Sequence, residues 1–208
     1  MDGLRSTVIT AFTVSLSCFL FFLLPSIRGP AAFAFFLLAN SSLLFGLWLS
    51  FDAAVPISAR LATTYLALAA MAHLWVGAWA TEPAAGLAAM ILFQGLTVGS
   101  VTTLLNVNWG DDTTVKLIAV TVIMISTLAI VGTVAMARRR RFGHWIWFAI
   151  VALSMIAGVL SAGLATLYHD GPPVWWSLFL PLTYAIAYVF ALRNVELKGT
   201  PKSFQPPS

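Results

Sequence analysis

The chain has 208 residues, 60% of them hydrophobic and 9% charged, with a mean hydropathy of +0.93; soluble domains carry roughly a quarter charged residues, so this composition excludes an ordinary water-soluble module. A net charge of +4 does not indicate a nucleic-acid partner, because the cations are scattered between apolar runs and never interleave with aromatic residues in a polar module. Cys18 stands alone, which excludes an internal disulfide, a Cys-rich metal site or an iron–sulfur cluster and suits a small apolar packing residue.

The charged side chains cut the sequence into seven uncharged intervals: 6–27, 29–51, 61–81, 83–110, 117–137, 142–169 and 171–192. A helix rises about 1.5 Å per residue, so roughly 20 apolar residues cross a hydrocarbon core of about 30 Å. Each interval is long enough, and the alternating polarity of a membrane β-barrel is absent. The expected fold class is therefore all-α, a polytopic transmembrane bundle of seven helices, with residues 1–195 as one domain and 196–208 as a short cytoplasmic tail.

In chain order, the first run follows Arg5 like a signal peptide but outlasts one and lacks a small-residue exit, so it reads as a retained helix. Pro25, Gly29 and Pro30 mark a tight connection, and the second helix runs to about Phe51. A short loop with Pro56 precedes the third helix, which carries Thr63, Thr64, Tyr65 and His73. Thr81, Glu82 and Pro83 imply a hairpin into a fourth helix holding Gln94, Gly95 and Gly99. The fifth helix ends at Arg138, Arg139, Arg140 and Arg141, the densest charge cluster; the sixth follows, and the seventh begins at Trp175 and Trp176.

Seven single crossings put Arg5, Arg60 and Lys116 on one side and Arg28, residues 138–141, Arg193, Lys198 and Lys202 on the other, three cations against eight. The positive-inside rule then predicts an outer amino terminus and a cytoplasmic carboxy terminus, in the cytoplasmic (inner) membrane of a prokaryote. Setting this topology accounts for the four arginines, and anionic lipid headgroups are a further partner for them. The eight tryptophans fall mostly near span ends and read as an interfacial belt.

Small residues at four-residue spacing (Ser42, Gly46 and Ser50; Gly95 and Gly99; Ser154, Gly158 and Ala162) mark close helix contacts, first within the chain, with a second copy or a membrane partner as the alternative. Asn40, His73 and Gln94 lie near the midpoints of their intervals. Amide and imidazole groups at that depth are costly against lipid, so they are expected to face inward, with Tyr184 completing a substrate-binding set. Intramembrane hydroxyls are expected to bond to their own helix carbonyls. Asp111, Asp112, His169 and Asp170 form a candidate outer entrance for cations or protons.

His144 and His169 are 25 residues apart, roughly 37 Å of helical rise, and no acid falls within a span. No metal, cofactor or catalytic residue is therefore assigned. The leading expectation is a transporter or channel for a small neutral or weakly charged solute. The alternative is a non-catalytic membrane subunit or sensor that binds a partner protein. Third is a lipid-acting membrane enzyme built around His73.

The seven-helix layout resembles that of the microbial rhodopsins, but residues 171–192 contain no lysine to hold retinal. It also resembles sugar transporters of the three-plus-one-plus-three kind. Phe51-Asp52 echoes His169-Asp170 and Thr64-Tyr65 echoes Thr183-Tyr184, at offsets of 118 and 119, and parallel repeats of that kind imply a midplane site. The fifth helix lacks the hinge proline of such transporters, and no family is assigned.

Overall fold

The structure, a computed structural model, describes residues 2–22, 30–79, 112–168 and 176–193. Their regular structure is all helical: α1 (Asp2–Phe22), α2 (Pro30–Ser50), α3 (Ile57–Trp79), α4 (Asp112–Ala137), α5 (Arg141–Tyr168) and α6 (Trp176–Leu192). Four apolar runs, Leu4–Phe21, Phe33–Ser50, Val120–Ala137 and Arg141–Leu160, are long enough to cross a membrane, and α6 adds the shorter Pro181–Leu192. The interval 83–110 expected to form a fourth span lies outside the described residues.

Side chains are distributed as lipid solvent requires. Ile9, Phe33, Met124, Trp145, Leu153 and Val189 point outward, each more than 60% exposed, while Ala59, Ala67, Ala137, Ser126, Thr133 and Ser154 are buried. Lipid tails are as apolar as leucine, so association depends on small and hydrogen-bonding residues that let backbones approach. These helices are compatible with an integral membrane protein.

α3, α4, α5 and α6 close a four-membered ring, each packed on the next and α6 back on α3. Leu66, Ala70, Val122, Ala129, Met136, Trp147 and Tyr184 belong to its core. α1 and α2 form an antiparallel hairpin in which Ala11 and Phe12 meet Gly46, and Phe21 stacks on Phe35. The hairpin leans on α3 and α4, where Leu47, Ala67 and Ala137 make a small separate cluster.

One hydrogen bond decides how the chain is threaded. The Asp52 N–H, in the loop after α2, donates to the Ala137 carbonyl at 2.9 Å, satisfying one of the four carbonyls that the end of α4 leaves open. Arg60 folds back over the same loop, donating from Nε to the Val55 carbonyl at 2.9 Å and from Nη2 to those of Asp52 and Ala53. Its guanidinium also lies 5.7 Å from the Phe51 ring centre.

The α2–α3 loop and the arginine turn therefore share one end of the molecule. This corrects the expected layout, which put them on opposite sides. α3 leaves that end and α4 returns to it, so the end of α3 and the start of α4 both lie at the far end. Seven strictly alternating crossings do not fit these ends, and the amino-out orientation loses its basis.

The arginine turn is a Schellman cap: the Arg140 N–H donates to the Ala135 carbonyl at 2.9 Å and the Arg139 N–H to that of Met136 at 2.8 Å. Arg139 takes φ 59°, where glycine usually sits. Just beyond it α4 and α5 approach closely. A Cβ on Gly143 would stand 2.5 Å from the Gly132 carbonyl oxygen, and one on Gly132 would stand 3.0 Å from Ile146 Cγ2. The four-residue patterns did not single out this pair. The expected pattern holds on α2, where Gly46 packs within the chain against α1.

Candidate functional site

α3 carries polar groups on two flanks. Trp75 faces α2 and donates its indole N–H to Asn40 Oδ1 at 3.0 Å, while Asn40 Nδ2 donates to the carbonyl of Phe36 one turn back. Trp75 sits between Phe19 and Phe36, with ring centres 5.2 and 4.9 Å away. An amide in lipid is satisfied here by locking the hairpin to α3. Trp75 is 7% and Trp147 2% exposed, which corrects the belt reading for both: Trp147 donates from Nε1 to the Ala129 carbonyl at 3.1 Å, its ring against the space that Gly132 leaves open. Trp48 and Trp145 do lie on the surface.

His73 precedes Trp75 by two residues, 200° around the helix, and so faces α6. Its Nε2 lies 3.3 Å from the Tyr184 hydroxyl, with the rings edge to face at 5.9 Å. Nδ1 of His73 has no hydrogen-bond partner among the described residues. Beside this pair Tyr65 donates to Thr183 Oγ1 at 2.8 Å, its ring 6.3 Å from that of Tyr184. The two dipeptides that echo each other in sequence thus meet in space. They meet on helices of opposite direction, which the parallel-repeat reading does not allow.

One turn further along α6, Tyr188 shares the inward face with Tyr184. Its hydroxyl donates to the His144 carbonyl at 3.0 Å, and the two rings are 6.4 Å apart. His144 is buried, and neither ring nitrogen has a partner among the described residues. His144, Tyr188, Tyr184 and His73 accordingly form a ladder of polar aromatic groups along α6, starting three residues inside α5. Pro181, buried just ahead of Thr183, removes the backbone donor that the carbonyl of residue 177 would have used.

Of the expected substrate-binding set, the structure brings His73 and Tyr184 together and places Asn40 on the other flank of α3. Gln94, Asp111, His169 and Asp170 lie outside the described residues, and Asp112 is the first residue of α4. Sequence reasoning missed Tyr188 and its contact with His144; the four-residue spacing of Tyr184 and Tyr188 was the available signal. Hydroxyls follow both patterns. Thr127 bonds to its own helix, at the Ile123 carbonyl, whereas Ser15 donates across to the Ala39 carbonyl of α2 at 2.8 Å.

Compared with protein-family models, curated proteins and solved structures, the chain matches none.

Proposed function

We propose that this protein is a small-solute transporter or channel whose polar route follows α6 through His144, Tyr188, Tyr184 and His73. The observation that carries this reading is the His73–Tyr184 pair. A neutral imidazole has one donor nitrogen and one acceptor. If the tyrosine hydroxyl donates to Nε2, then Nδ1–H remains to donate and the tyrosine oxygen to accept; if Nε2–H donates to the tyrosine, the hydroxyl hydrogen and the Nδ1 lone pair remain. Either tautomer leaves one donor and one acceptor for a neutral, hydrogen-bonding solute. Polar groups at such a depth are costly unless used.

Charge supports an orientation with both termini in the cytoplasm. Grouped by the ends that the described helices reach, Arg5, Arg60, residues 138–141 and Arg193 share one side, against Lys116 on the other. Seven cations against one among the described residues is a stronger positive-inside bias than the seven-crossing count yields. Asp111, Asp112, His169 and Asp170 then belong to the opposite, outer side as an entrance.

In vesicles reconstituted with the full chain, His73→Ala and Tyr184→Phe each lower uptake of the carried solute at least tenfold, while the protein stays monodisperse. Asn40→Leu leaves the route intact. Flux of sugars, amino acids and small ions that is indistinguishable from empty vesicles refutes transport. The satisfied Asn40–Trp75 contact favours a second reading, a non-catalytic subunit whose polar residues only join helices; a stoichiometric partner in native mass spectrometry of gently solubilised membranes supports it.

A further inference from the structure

We infer that the arginine turn and the first two turns of α5 bind an anionic phospholipid of the adjoining leaflet. Arg141, Trp145 and Phe148 are spaced i, i+4 and i+7, within an arc of about 60° and over about 10 Å of rise. All three are exposed, Trp145 at 69%, and the Trp145 and Phe148 rings meet edge to face at 6.1 Å. A guanidinium thus stands above an indole and a phenyl ring on one outward stripe, within the apolar run Arg141–Leu160.

Arg138 and Arg140 are exposed beside this stripe, and the guanidinium groups of Arg138, Arg140 and Arg141 have no partner among the described residues. The counter-charge has to come from elsewhere. Between Asp112 and Asp170 the sequence has no acidic residue, and Asp52, at the same end, brings one carboxylate to four arginines. A phosphodiester supplies it, since arginine forks pair two-pronged with phosphate oxygens. The rings beneath select a lipid over a free anion: an indole suits the headgroup boundary and a phenyl ring the acyl region. An acidic protein segment has no use for apolar rings sunk to that depth.

The test is native mass spectrometry of the purified full chain in detergent, which is independent of membrane orientation, titrated with phosphatidylglycerol, with phosphatidylcholine of the same acyl chains, or with inorganic phosphate. Phosphatidylglycerol binds at least tenfold more tightly than phosphatidylcholine. Each arginine neutralised costs about fivefold, so R138Q/R140Q/R141Q abolishes the preference. R138K/R140K/R141K keeps the turn cationic and retains part of the preference. Trp145→Ala with Phe148→Ala weakens phosphatidylglycerol binding without touching a charge. Equal binding of the two lipids, an unchanged preference in the glutamine variant, or displacement of phosphatidylglycerol by inorganic phosphate at similar concentration overturns the inference, the last by showing an ion site only.

Discussion

Replacing Gly143 by alanine tests how tightly the arginine turn is held. The added Cβ would stand 2.5 Å from the Gly132 carbonyl oxygen, 2.7 Å from Ala135 Cβ and 2.7 Å from Met136 N. Ordinary contact begins at 3.4 Å, so the shortfall against the carbonyl is 3.4 − 2.5 = 0.9 Å. Two of the three obstacles are backbone atoms, so the helices themselves must part. A gap approaching 1 Å forfeits a quarter to a half of each dispersion contact along the seam, and it stretches the 3.1 Å bond from Trp147 to Ala129 beyond hydrogen-bonding range. Overpacking of this kind costs about 1–3 kcal/mol, and the lost hydrogen bond adds about 1 kcal/mol. Gly132→Ala costs less, because its Cβ meets side chains of Ile146 and Trp147. Gly163→Ala meets nothing within 4 Å and stabilises by up to about 1 kcal/mol through helix propensity. Unfolding of the three variants in mixed micelles, followed by tryptophan fluorescence, should rank them Gly163→Ala, Gly132→Ala, Gly143→Ala from most to least stable. A Gly143→Ala protein as stable as Gly163→Ala refutes the close crossing.

Two further outcomes follow. A double-mutant cycle of Asn40→Leu and Trp75→Phe, read by the same unfolding assay, gives a coupling of about 0.6 and at most about 1.7 kcal/mol, the range of hydrogen bonds between membrane helices; strictly additive effects contradict the contact. Single cysteines at Ala53→Cys and Arg140→Cys, in a chain whose own Cys18 is buried, react with a membrane-impermeant maleimide from the same side of sealed vesicles. Labelling from opposite sides removes the shared end and the two-cytoplasmic-termini orientation with it.

The sequence by itself determined the solvent and the helical class, because a chain with this few charges must satisfy its backbone within helices. It marked residues 138–141 as a turn, and it marked Asn40 and His73 as side chains needing partners, since burial cost depends on composition and spacing along one helix. Which partner each obtained was decided only in three dimensions. Asn40 and His73 have similar sequence signatures, yet two residues of rotation separate the flanks of α3 that they approach. One found the Trp75 indole, and the other found Tyr184 and kept Nδ1 without a partner among the described residues. The threading was equally illegible, because parity counts crossings and cannot detect a loop pinned to the end of a distant helix. The Asp52–Ala137 hydrogen bond joins residues 85 apart in sequence, and a contact between backbone groups leaves no trace in side-chain identity.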